Sequence, residues 1–170
     1  MNPEDYFREL HAYELERRER FNELLSLPLG IITLTGGALY TLASNVERFD
    51  NAYEYLSIGV VGVGALLLIA ACYELWKVAI NKGYCFPAHA DELHKYQSEV
   101  RKYETDTSNA EHEFSSFLTR EFVRCASTNG RINDRRSEHH HKLKKRMILA
   151  LATLGVAGTV QIGLSLVNNS

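Results

Sequence analysis

The sequence predicts an all-α fold, a three-span transmembrane helical protein with a cytoplasmic helical bundle. Three observations carry this. Residues 24–43, 55–73 and 147–167 contain no Asp, Glu, Lys or Arg, in runs of 20, 19 and 21 residues. A helix rises about 1.5 Å per residue and a bilayer core is about 30 Å thick, so roughly 20 such residues make one span. A soluble surface helix would carry a polar stripe, whereas polarity in these runs is limited to Ser, Thr, Gly, Tyr and one Gln. No segment alternates with period two, and outside the runs apolar residues recur at spacings of three and four, the helical period.

Residues 1–23 are predicted to form a cytoplasmic amphipathic helix. Leu10, Tyr13, Arg17, Arg20 and Leu24 follow one another on one face. Seven acidic residues between Glu4 and Glu23 are foreign to the short basic leader of a signal peptide. The first span, 24–43, is therefore expected to be a permanent anchor, kinked at Pro28 because proline removes a backbone bond and clashes with the preceding turn. Neither end of the chain carries a lipidation signal. An external loop, 44–54, carries Arg48 beside Glu47, Asp50 and Glu54. The second span, 55–76, ends at an interfacial Trp76, with Glu74 and Lys77 expected to be interfacial residues rather than a proton relay.

The segment 77–146 is predicted to be a cytoplasmic helical domain. Asn81 to Ala90, with Gly83 and Pro87, is a turn, and Asp91 is placed to cap the helix that follows. Leu93, Tyr96, Val100 and Tyr103 mark one helix; Phe114, Phe117, Leu118, Phe122 and Cys125 mark a second. Thr105 to Asn109 separates them, and Asn129-Gly130 is expected to end the second. From Arg131 a basic helix of some 35 residues then runs unbroken into the third span, 147–167, leaving 168–170 as an external tail.

Lys and Arg resist translocation while Asp and Glu matter little. Of 19 cations, four precede the first span, fourteen lie in 77–146 and one, Arg48, lies between the first two spans. The expected topology has the amino terminus inside a bacterial inner membrane and the carboxyl terminus outside. Cys85 and Cys125 then face a reducing compartment and Cys72 lies in a span, so three free thiols are expected. The length excludes a large enzyme, and a net charge of −2 excludes a generally basic, nucleic-acid-coating surface.

Two patterns are candidates for function. At 100° per residue, Ser26, Gly30, Thr33, Gly37, Thr41 and Ser44 fall within an arc of about 80° that no bulky residue enters. Such a face suits either close helix packing in lipid or the lining of a water-filled pore in an oligomer of four or more copies. The third span repeats the theme with Gly155, Thr159 and Gly163, and Gln161 opposite them needs a hydrogen-bond partner in hydrocarbon, most simply another helix. The second pattern is the basic run from Arg135 to Arg146. Beside a span, such a run is ordinarily a topological anchor that meets anionic lipid. Its functional alternative is a phosphate-rich ligand, a nucleotide or oligonucleotide, held by Arg135, Arg136, His140, Lys144 and Lys145 with Arg17, Arg18 and Arg20. No cofactor or metal site is expected, since adjacent histidines on a helix point about 100° apart. No phosphate-cradling Gly loop or nucleophile elbow is present, so no enzyme is expected.

A charged helix with Tyr13-Glu14-Leu15-Glu16-Arg17-Arg18, a first span with Pro28 and Gly36-Gly37, a close second span and a Phe86-Pro87 turn into helices together resemble a bacterial family. These are the small membrane effectors of nucleotide-signalled anti-phage defence: the SLATT-type effectors, which have two spans, and the channel subunit of Hailong systems. The resemblance implies an oligomeric pore held shut until a partner nucleotidyltransferase supplies a signal. The alternatives are a non-conducting membrane anchor or scaffold that recruits a cytoplasmic partner protein, and a membrane-tethered nuclease. For the last, Arg136 and His141 are similar in spacing to the Arg-x4-His pair of the higher-eukaryote-and-prokaryote nucleotide-binding ribonucleases.

Overall fold

The computed structural model describes residues 2–44, 52–80, 83–104 and 106–168. Among these residues the chain is all-α, with five helices and no strand: α1 (Pro3–Glu23), α2 (Ser26–Ser44), α3 (Ala52–Ala79), α4 (Ala90–Tyr103) and α5 (Thr107–Asn168). Among the described residues three stretches of helix are long and apolar enough to cross a membrane; they contain the first two uncharged runs and residues 147–163 of the third. The chain is thus a membrane protein with three candidate spans. Residues 45–51 of the expected external loop, with Glu47, Arg48 and Asp50, and residues 169–170 of the tail lie outside the described residues. The contacts divide the chain into two compact units, Met1–Phe21 with Asn81–Arg135, and Asn22–Ile80 with Arg136–Ser170.

The second unit holds the spans. Arg146 reaches Ala70, Thr153 lies beside Gly64, and Gln161 reaches Leu42, so α3 runs antiparallel to both α2 and α5. Leu39, Val61, Leu68, Ala150 and Ala157 form one buried cluster, and Ala71, Leu143 and Met147 another. The inward residues of this part of α5 are Arg136, His140, Leu143, Met147, Ala150, Leu154 and Ala157, an alternation of four and three that is the period of knobs-into-holes packing. A β-carbon at Gly64 would sit 3.0 Å from Thr153 Oγ1 and 3.1 Å from a Leu39 methyl, so its bare backbone lets α3 lie close to both neighbours. The Gln161 amide donates to Leu42 O at 3.0 Å, the helix-to-helix bond expected of it.

The kink expected at Pro28 is corrected to a break at the first two residues of the span. α1 ends at Glu23, Leu24 and Leu25 form a turn, and Pro28 sits in the first turn of α2. Proline is tolerated there because the first-turn amides have no intrahelical acceptor.

The first unit packs α1 and α4 on the amino-terminal part of α5. Tyr96 of α4 meets Phe117 and Phe114 of α5, with ring centroids 4.5 and 6.3 Å apart, as the periodicity predicts. Three expectations here are corrected. α4 is capped by His89, whose amide donates to Glu92 at 3.3 Å, and Asp91 falls one residue inside the helix. α5 does not stop at Asn129-Gly130. A mid-helix glycine costs only about 1 kcal/mol relative to alanine, and the side chain of Asn129 is occupied elsewhere. Finally, Cys85 and Cys125 are joined in a disulfide, and Cys72 alone is free. The reason is local: Asn129 accepts from Cys85 N at 2.8 Å and donates to Cys85 O at 2.9 Å, which holds the 83–89 segment against α5, one turn from the buried Cys125.

Candidate functional site

In the spanning unit, the basic run is sorted by the face each residue occupies on α5. Glu74 of α3 is only 3% exposed, and its two oxygens meet His139 Nδ1 at 2.6 Å and Arg146 at 2.8 Å. Arg146 also donates to Ala70 O at 2.7 Å. Glu74, expected at the interface, is thus buried among α5 side chains, while Lys77 lies over the rings of Trp76 and Tyr73, at 5.2 and 5.3 Å. Arg136 is buried and donates to Val78 O at 3.0 Å and to Asn22 Oδ1 at 2.8 Å. Val78 lies in the last turn of α3, where backbone carbonyls lack intrahelical partners and carry the negative end of the helix dipole. Arg136 serves as the cap of α3.

The other unit is organised around Glu14 and Asn133. Arg17 holds both Glu14 oxygens, at 3.1 and 3.0 Å, and Asp134 at 3.0 Å. Asn133, fully buried, donates to Glu14 O at 2.7 Å and Glu14 Oε2 at 2.9 Å and accepts from Tyr84 Oη at 2.6 Å. The guanidinium of Arg18 lies over the Tyr84 ring, 4.9 Å from its centroid. Helical periodicity pointed to apolar residues and missed this polar set. The signal present in the sequence is positional: Ala126, Asn129 and Asn133 continue the inward three-and-four alternation of α5 with amides where a core position ordinarily holds an aliphatic side chain.

The candidate anion-binding residues accordingly have unequal roles within their units. Arg17 and Arg136 are held inward. Arg18 stacks on Tyr84, and Arg20 pairs with Glu16. Arg135, Lys144 and Lys145 are exposed, and His140 is half-buried. Arg136 is buried while His141 is exposed, so the residues of the ribonuclease-like spacing differ in access to solvent.

The small face of α2 is turned away from the rest of its unit. Ser26, Gly30, Thr33, Gly37, Thr41 and Ser44 are all exposed, whereas Pro28, Thr35 and Leu39 on the other side are buried. Nothing lies within 4 Å of a β-carbon built at Gly30 or Gly37. The hydroxyls of Thr33, Thr41 and Ser44 donate to carbonyls four residues back, at 2.9, 3.1 and 2.9 Å.

One further titratable group is buried in the first unit. His11 is 6% exposed, meets Phe122 and Phe86 at ring distances of 6.0 and 6.5 Å, and its Nδ1 has no hydrogen-bond partner among the described residues. Burial lowers its pKa below the ordinary 6.5. The unfolded chain therefore binds a proton that the folded chain resists. The stability from a neutral His11 is complete above about pH 6.5 and is lost as pH falls through the folded-state value. Amide exchange of α1 is expected to accelerate as pH falls below about 6.5 relative to His11→Phe, after correction for intrinsic rates; identical profiles would show that His11 is not the titrating group.

These features define a three-span, all-α membrane protein with a buried polar framework in each unit. No protein family, curated protein or solved structure matches the chain.

Proposed function

We propose that the protein is an oligomeric, ion-conducting pore of a bacterial inner membrane, with four or more copies placing the Ser26 to Ser44 face of α2 around a shared axis. The observation that supports this is the division of α2. Pro28, Thr35 and Leu39 pack inward, while the small, hydroxyl-bearing face is exposed along its whole length, flanked by the exposed Leu29, Leu34 and Tyr40. The amino terminus is inside and the carboxyl terminus outside, following the distribution of Lys and Arg, an orientation that leaves the Cys85–Cys125 disulfide on the cytoplasmic side, where the compartment rule favours free thiols. Gating is by a nucleotide or oligonucleotide from a partner nucleotidyltransferase, as in the anti-phage effectors the sequence resembles, with Arg18, Arg20 and Arg135 the candidate cations of the first unit to receive it.

The test is ion flux from proteoliposomes, together with the mass of the purified protein in mild detergent. Gly37→Leu is expected to leave the helical fold intact, since nothing lies within 4 Å of the site, and to abolish flux or reduce the oligomer. A monomeric or dimeric wild type would overturn the pore. It would favour a non-conducting anchor that recruits a partner protein, a second reading supported by the exposed Tyr6, Tyr13, Phe86 and Tyr103 of the first unit.

A further inference from the structure

Between α2 and α5, within the spanning unit, lies an open groove of about 270 Å³. Its apolar walls include Leu27 and Ile31 on one side and Met147 and Ile148 on the other; His140 and Lys144 complete it. The order along α5 matters. His140 and Lys144 are one helical turn apart and precede the uncharged third run, and Ile148 lies one turn further on, inside it. Along this helix the groove therefore passes from cationic to hydrocarbon at the boundary of the span, with the same polarity as a membrane lipid.

The cations of the run are not equivalent. Arg136 and Arg146 are turned into the bundle, and Lys142 is paired with Glu138 at 2.6 Å. Lys144 is exposed at the groove and makes no ion pair among the described residues. The groove thus presents a positive charge and an apolar trough together. The complementary occupant joins an anionic phosphate to an acyl chain.

We infer that this groove binds one anionic glycerophospholipid per chain, its phosphate at Lys144 beside His140 and an acyl chain laid between Leu27, Ile31 and Ile148. A general basic patch would attract anionic headgroups without selecting a position. Here the charge and the trough select one. The lipid bridges α2 to α5, so its presence favours the packed arrangement of these helices by mass action. The inference rests on the membrane reading of the spans and is independent of pore formation.

The experiment titrates the purified full chain in mild detergent with dioleoyl phosphatidylglycerol, dioleoyl phosphatidylcholine or glycerol 3-phosphate. Lipid retained per chain is read by native mass spectrometry, alongside the thermal transition. Phosphatidylglycerol is expected to be retained at one per chain and to raise the transition, and phosphatidylcholine to be retained at least tenfold less. Lys144→Glu is expected to weaken phosphatidylglycerol retention about tenfold or more, while Lys145→Glu, the same charge change on the next residue, leaves it within about twofold. Leu27→Trp, at an exposed groove position, is expected to reduce retention of the lipid without lowering the lipid-free transition. Equal retention of the two lipids, equal loss in the two lysine variants, or a matching effect of glycerol 3-phosphate alone would each overturn the inference. It would also fail if Leu27→Trp left lipid retention intact and changed the mass of the oligomer, which would assign the groove to a second copy of the chain.

Discussion

Replacing Glu74 by glutamine is expected to destabilise the spanning unit by about 3 kcal/mol, because breaking one member of a buried charged set leaves its partners uncompensated. Glutamine keeps the shape of the side chain but removes the charge that His139 and Arg146 share. The Arg146 guanidinium then retains only neutral acceptors such as Ala70 O. Adding Arg146→Met to Glu74→Gln is expected to recover part of the loss, since no cation is left stranded at that position. The measurement is the cooperative thermal transition in mild detergent, with amide exchange of α3 as a local probe. A Glu74→Gln transition unchanged from wild type would mean that the three groups are solvated and that the set does not hold α3 to α5.

Asn133→Leu is expected to produce a loss of similar size, about 3 kcal/mol, confined to the other unit. Leucine keeps the branched skeleton of asparagine but is bulkier, so lost hydrogen bonds and overpacking at a fully buried position both contribute. Three bonds disappear, and the half-buried Tyr84 hydroxyl and the Glu14 carbonyl lose their Asn133 partner, at about 1 kcal/mol each. Tyr84→Phe removes one of these bonds and is expected to cost about 1 kcal/mol. Amide exchange of α1 separates the two cases: α1 is expected to lose protection in Asn133→Leu and to keep it in Tyr84→Phe. An Asn133→Leu protein with wild-type protection of α1 would show that apolar packing alone seats α1 on α5.

The spans were legible because hydrocarbon imposes a requirement on every residue of a run, and the three uncharged runs meet it without ambiguity. The helices of the other unit were legible where aromatic residues repeat, as with Tyr96 and Phe117. The candidate site was less so. Hydrophobic periodicity finds a buried face by its apolar members, and α5 buries Asn129, Asn133 and Arg136 on the same face as Leu143 and Met147. A polar residue looks solvent-facing until its partner is known, and these partners are 44 to 119 residues away. Asn129-Gly130 therefore had the appearance of a helix end, and Arg136 that of a surface cation. The small face of α2 was legible as a pattern, since it depends only on spacing, but its exposure depends on which side of α2 Val61, Leu68 and Ala157 occupy.

That face has a consequence for how the protein is made. The hydroxyl protons of Thr33, Thr41 and Ser44 are already engaged by carbonyls of their own helix, so these side chains bring no unsatisfied donor into hydrocarbon. A newly inserted chain can face lipid there without penalty. In the proposed oligomer, the copies that cover the face would then meet by lateral diffusion in the plane of the bilayer after insertion, so the extent of coverage would depend on how many copies share a given area of membrane.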